Sequence, residues 1–193
     1  CDRVLGPDHP TALTSRAALG SAYESAGRTP EAISLLEQAL NDCERVLGPD
    51  HPTALTFRNN LADSYRAAGR VGKAISLYER TLADCERILG PEHPNTLTFR
   101  NNLADSYRAA GRVGEAIPLY ERTLADCERI LGPDDLNSLS SRNNLAAAYK
   151  LAGRVGEAIS LLEQTLADCE RILGEEHPNT LMARKNLSAV REL

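Results

Sequence analysis

A self-similarity with a period of 42 residues limits the chain to very few folds. The stretch Pro91 to Gly132 repeats Pro49 to Gly90 with changes only at Asp50/Glu92, Thr53/Asn95, Ala54/Thr96, Lys73/Glu115 and Ser76/Pro118. Looser copies run from Pro7 to Gly48 and from Pro133 to Gly174, and Cys1, Cys43, Cys85, Cys127 and Cys169 mark the period. A fixed period of roughly 20–50 residues marks a repeat array, in which one supersecondary unit is stacked many times.

Each repeat divides into two amphipathic segments. In the second repeat, Leu55, Leu61, Ala62, Tyr65 and Ala68 fall on one face at helical spacing and predict a first helix over about 53–68. Gly69 follows, where a residue able to take positive φ ends a helix without Cβ strain. A second helix over about 71–89 carries the stripe Val71, Ala74, Ile75, Tyr78, Leu82, Cys85, Ile88 and Leu89. Gly90-Pro91 stops it, and His51-Pro52 opens the first helix with proline near the first turn, where a missing N–H costs nothing.

The expected organisation is a single array over 1–193. Residues 1–6 (CDRVLG) match the tail of a second helix, residues 7–48, 49–90, 91–132 and 133–174 are full repeats, and 175–193 is a further first helix over about 179–193. The first repeat is read as helices over about 11–26 and 29–47. The chain opens inside a helix and without an initiator methionine, so the expectation is a piece of a longer protein. In the fourth repeat Asp135-Leu136 replaces His-Pro, and Asn137 and Ser138 become the candidate N-caps. In such a stack each repeat touches only its neighbours, and the core grows as a line.

Composition removes several function classes. No apolar run approaches the roughly 18 residues that would cross a bilayer, so no membrane role is expected. The net charge is −5 with both signs interspersed, the opposite of the basic field a nucleic-acid binder needs. The cysteines sit in apolar stripes at least one helix-packing distance apart, roughly 8–10 Å, whereas the α-carbons of a disulfide lie within about 7 Å. They read as reduced core thiols, which fits a cytoplasmic setting. His9, His51, His93 and His177 each precede proline at the same junction of different repeats, without the nearby second ligand a zinc site requires. They read as helix-start residues whose rings pack locally. No phosphate loop, GxSxG or HExxH is present, and nearly every polar residue has a translated copy, so neither catalysis nor a metal or other cofactor is expected.

The text NNLADSYRAAGRVGEAIPLYERTL, with Leu103, Ala104, Tyr107, Gly111, Ala116 and Tyr120 at signature positions, resembles the tetratricopeptide repeat. The longer period, the LGPDHP junction and the NNLA motif resemble its kinesin-light-chain variety. The resemblance covers the whole chain. It implies an all-α fold, a right-handed α-solenoid of tandem antiparallel helix pairs whose first helices line a concave surface that holds peptides or partner proteins. The chain departs from the family pattern at Arg58, Arg100 and Arg142, where relatives usually carry an apolar residue, at Thr81, Thr123 and Thr165 in place of alanine, and at Ala17-Ala18 in place of Asn-Asn.

The spacing independently nominates a lining. Thr56, Asn59, Asp63 and Arg66, then Thr98, Asn101, Asp105 and Arg108, form polar stripes on the first helices. Their equivalents are Ser140, Asn143, Ala147 and Lys150, then Met182, Lys185, Ala189 and Glu192. The candidate groove residues are therefore Asn59, Asn60, Asp63, Arg66, Asn101, Asn102, Asp105, Arg108, Asn143, Asn144, Lys150 and Lys185. Asparagine both donates and accepts, so a solvent-facing ladder of it can hold the peptide groups of an extended segment. The same residues also suit a solvated helix face. Basic groups toward the C-terminal half favour acidic ligands. A second ladder, Arg16, Arg58, Arg100, Arg142 and Arg184, is read either as a carboxylate anchor or as a structural one, each head paired with an acidic residue of a nearby second helix such as Glu79 or Asp84. The expected function is a non-catalytic scaffold for a protein or peptide partner. The alternative is a spacer, or an array self-associating through its ends, since terminal caps keep such stacks soluble.

Overall fold

The computed structural model describes residues 10–192. Among the described residues there are nine α-helices and no strand. They are α1 (Pro10–Ser25), α2 (Thr29–Leu47), α3 (Pro52–Ala67), α4 (Val71–Ile88), α5 (Pro94–Ala109), α6 (Val113–Leu131), α7 (Leu136–Leu151), α8 (Val155–Leu173) and α9 (Pro178–Arg191). Odd numbers are the first helices of repeats and even numbers the second. The expected helices are all found, with first helices beginning one residue earlier than the hydrophobic pattern suggests because the proline itself occupies the first turn. The reading of residues 1–6 as a helix tail, of Cys1 as a core thiol and of His9 as a helix-start residue lies outside the described residues.

Two kinds of turn, each copied along the chain, set the geometry. Between first and second helix, Gly69 adopts φ 71°, and the Arg70 amide donates to the Tyr65 carbonyl at 2.8 Å. This six-to-one bond closes a helix with a left-handed residue and reverses the chain in three residues. In three copies of the turn its arginine lies over the tyrosine that accepted its amide: Arg28 over Tyr23, Arg112 over Tyr107 and Arg154 over Tyr149, at 4.5, 4.4 and 4.0 Å.

Between second and first helix, the turn after Gly48 ends in an N-cap. The Nδ1 atoms of His51, His93 and His177 accept the amides of Thr53, Asn95 and Asn179 at 3.2, 3.1 and 3.2 Å. These histidines do more than pack locally: the imidazole supplies the acceptor that serine or aspartate usually gives a helix start. The fourth repeat corrects an expectation. Its cap is Asp135, whose Oδ1 accepts from the Asn137 amide at 2.8 Å, while the candidate caps Asn137 and Ser138 lie inside α7, and the Ser138 hydroxyl donates back to the Gly132 carbonyl.

The chain divides into two compact units, Cys1–Phe99 and Arg100–Leu193. In the first, α1 packs on α2, α2 on α3 and α3 on α4; in the second, α6 packs on α7, α7 on α8 and α8 on α9. α4 buries Ala74, Ile75, Tyr78, Leu82 and Cys85 of its predicted stripe, whereas Val71, Ile88 and Leu89 at its ends are half-buried. The first helices bury more than their apolar pattern shows. In α3, Ala54, Phe57, Arg58, Asn59 and Ser64 join the buried set, whereas Ala68, counted with the stripe, is exposed at the turn. Cys43, Cys85, Cys127 and Cys169 are free and buried; desolvation raises the Cys85 thiol to about 11.

Candidate functional site

In repeats two, three and four the arginine ladder is structural. Arg58 is 0 % exposed, and its guanidinium meets Asp84 of α4 and Glu44 of α2, each at 2.6 Å, and the Pro49 carbonyl at 3.1 Å. Arg142 repeats this with Asp168 of α8 and Glu128 of α6, both at 2.6 Å. Arg16 pairs with Asp42 and Arg100 with Asp126. In repeats two and four the planar fork thus ties a first helix to the second helices before and after it. Asp84 is the partner in repeat two; Glu79, the other candidate, is exposed on α4 and is not the residue Arg58 reaches.

The nominated groove residues share the remaining polar face of the first helices, but not as a solvated stripe. In repeat two Arg66 is exposed, Asp63 and Asn60 are half-buried, and Asn59 is buried at 8 % exposure. Asn143 is equally buried, and Asn101, Asn102, Asp105, Arg108, Asn144 and Lys150 are intermediate; Lys185 is exposed. The expectation that the asparagines face open solvent is therefore corrected. In the second compact unit Asn144 donates to the Oδ1 of Asn101 at 3.2 Å, and Asn186 donates to that of Asn143 at 3.4 Å. The second asparagine of one repeat holds the first asparagine of the repeat before it. This rung consumes part of the hydrogen-bonding capacity that a ligand would use.

Asp63 and Asp105 are also engaged. Asp63 accepts from the Tyr78 hydroxyl at 2.6 Å, from Arg66 at 3.1 Å and from Asn59 at 3.1 Å. Asp105 accepts from Tyr120 at 2.6 Å and from Arg108 at 3.0 Å. Burial, and next the adjacent carboxylate charge, push both phenols well above the ordinary tyrosine range, so they stay donors. Tyr78 and Tyr120 were legible only as core positions of the second helices. Their hydroxyls pass under the first helix and hold its acidic residue, a role that spacing on one helix cannot reveal.

The fourth repeat lacks this triad. Ala147 stands where Asp63 and Asp105 do, Leu162 replaces the tyrosine, and Lys150 replaces the arginine and donates to the Ala189 carbonyl at 2.9 Å. A shallow cleft opens there between α7 and α9, lined by Ser140, Asn143, Ala147, Asn179, Met182 and Asn186 among others. Met182 is 50 % exposed, and Lys185 lies on the same helix. Asn179 and Asn186 were not nominated; Asn186 could have been found, since it stands 42 residues after Asn144. Among the described residues no group of three His, Cys, Asp or Glu could hold a metal ion, and no helix is long and apolar enough to cross a membrane.

Comparison with known proteins gives a consistent picture. A family model described as tetratricopeptide repeat matches in five overlapping windows, residues 1–45, 26–83, 53–125, 97–168 and 143–193. A crystal structure of a kinesin light chain from Podosopora anserina with nearly identical TPR-like repeats is similar at 35 % identity and a TM-score of 0.86, covering 95 % of this chain and 87 % of that one. BtubC (BKLC) from P. vanneervenii is similar at 25 % identity and a TM-score of 0.82, covering 94 % and 72 %. No curated protein sequence matches. The fold class is that of these structures, an α-solenoid of tandem helix pairs.

Proposed function

The chain belongs to the tetratricopeptide repeat family, whose members are generally protein-interaction scaffolds rather than enzymes, and from that premise we propose that it binds a segment of a partner protein along its first-helix face. The observation that carries this reading is the change of character along that face. Where repeats two and three fill it with a satisfied Asp–Tyr–Arg triad, repeat four leaves a cleft with an apolar wall, Ala147 and Met182, rimmed by asparagine amides. Lys150 and Lys185 follow Ala147 and Met182 by about one turn on α7 and α9, so the segment that fits is one placing an apolar side chain beside carboxylates. Asn101, Asn102, Asn143 and Asn144, with Asp105 and Arg108, shape the face in the second unit, and Asn59, Asn60, Asp63 and Arg66 shape the corresponding face of α3 in the first. The buried free thiols Cys43, Cys85, Cys127 and Cys169 suit a reducing compartment, the cytoplasm.

Binding orders the ligand, so affinity in the micromolar range, about −8 kcal/mol, is expected. The test recovers a partner on the immobilised chain and titrates it against wild type, Met182→Asp, Lys185→Glu and the remote control Glu79→Ala. Loss of affinity in the first two variants alone supports the reading; equal affinity in all four proteins refutes it. A second reading, end-to-end assembly, draws on exposed leucines of the first and last described helices, Leu19 at 47 % and Leu181 at 44 %. A concentration series in light scattering separates the two.

A further inference from the structure

Among the described residues four turns join a first helix to a second, and in three of them the same ion pair spans the turn. Arg28 meets Glu31 at 3.0 Å, Arg112 meets Glu115 at 2.8 Å and Arg154 meets Glu157 at 2.5 Å. Each glutamate lies in the first turn of its second helix, where the macrodipole favours negative charge. Repeat two reverses that charge. Lys73 stands at the glutamate position, so Arg70 and Lys73 are like charges three residues apart, and α4 has no acidic residue in its first turn. Packing does not require the change, since the position is exposed in all four copies. It is also one of only five differences between the nearly identical second and third repeats.

The positive charge continues along the helix. Lys73, Ser76 and Arg80 fall at steps of three and four and form one exposed stripe of α4, whereas α2 and α8 carry Gln38 and Gln164 at the Arg80 position. Among the described residues Arg70 and Arg80 have no ion pair, and Lys73 lies over the Tyr65 ring at 5.3 Å. Carboxylates of α2 and α4 are held by other groups: Glu37 by the Tyr65 hydroxyl, Glu44 by Arg58, and Asp84 by Arg58 and Arg87. Glu79 precedes Arg80 but projects about 100° away around the helix. We propose that Arg70, Lys73 and Arg80 form a docking surface for an extended acidic segment of a partner protein, on a second helix rather than on the first-helix face. Lys73 and Arg80 are about 10 Å apart along the helix axis, the reach of roughly three residues of extended chain, so carboxylates three residues apart meet both. The net charge of −5 repels long polyanions, and adhesion to an anionic membrane takes a larger cluster, roughly four to eight cations. A short acidic segment needs only the local field.

A labelled decaglutamate peptide serves as the probe, titrated by fluorescence anisotropy into the whole chain at low salt. Saturable binding is expected, fading as ionic strength rises. Lys73→Glu combined with Arg80→Gln writes the residues of α8 into α4, so the fold should stand, which circular dichroism checks. Binding to this variant should weaken about tenfold or more. Arg45→Glu combined with Arg171→Gln changes the net charge equally, at exposed positions away from the stripe, and should bind as wild type does. Absence of saturable binding overturns the proposal, and so does binding unchanged in the α4 variant. Equal loss in both double variants would mean that net charge alone matters, and overturns it too. Loss in Lys185→Glu with binding kept in the α4 variant would assign the peptide to the cleft between α7 and α9 instead. Tighter capture of duplex DNA or of phosphatidylserine vesicles, lost in the α4 variant, would give the stripe to that polyanion and overturn the proposal equally.

Discussion

Repeats two and four are built on the same frame and differ in the floor of their first-helix face. Arg58 and Arg142 occupy one site, each buried between two carboxylates; Leu61 and Leu145 are both 4 % exposed. Under α3, however, Tyr78 and Arg66 hold Asp63, whereas under α7 the matching residues are Leu162, Lys150 and Ala147. A solenoid keeps the contacts that set the stacking of neighbours and lets the surface between them vary. The frame is constrained twice per period, by the helix before and the helix after, whereas the Asp63–Tyr78–Arg66 triad closes within its own repeat.

If the frame is common to both repeats, breaking it should hurt them equally. Arg58→Ala and Arg142→Ala each take the arginine from one part-buried glutamate and leave the aspartate with only Arg87 or Arg171, and each should cost about 3 kcal/mol in denaturant unfolding; damage in one repeat alone would break the comparison. Leu61→Ala and Leu145→Ala should each cost roughly 2–4 kcal/mol, and hydrogen exchange should show protection lost around the altered repeat rather than along the whole chain.

The floor should separate the repeats. Tyr78→Phe removes a donor from a part-buried carboxylate and should cost about 1–2 kcal/mol, a contribution that repeat four does not have because Leu162 carries no hydroxyl. Ala147→Asp combined with Leu162→Tyr should rebuild the triad and close the cleft. Restored stability with loss of partner binding would sharpen the contrast.

The smallest effect is alkaline. Tyr65 donates to Glu37, and burial followed by that hydrogen bond raises its phenol from 10.0 to about 12. The folded chain therefore keeps a proton that the unfolded chain releases, and stability falls as pH rises from about 10 towards 12. Tyr65→Phe should flatten that slope. Tyr149, donating to Glu121 at 2.8 Å, is raised for the same reasons, so Tyr149→Phe should flatten it in the fourth repeat as well.

Most of the fold was legible because its signals are local and repeated. Glycine after the first helix, proline at the next start and apolar residues at steps of three and four state the helix pair in each copy. The site was less legible. Asn59 and Asn143 look polar and hence solvated, yet both are buried in the fold. Asn186 became visible as a partner of Asn143 only when α7 and α9 were placed side by side. His51 as a cap and Asp135 in its place needed the turn geometry, since a one-dimensional pattern does not say which atom points at an orphan amide.

The sequence by itself determined the helix pair, its period and the burial of the second-helix stripes, because these follow from bond geometry and hydrophobic spacing along one strand of chain. Only the tertiary structure decided which polar residues are spent internally. Asn144 on Asn101, Tyr78 on Asp63 and Arg142 on Glu128 and Asp168 join residues 14 to 43 positions apart. Such a bond depends on the distance between two side-chain tips, and that distance is set by how helices pack, which the spacing of residues within either helix does not contain.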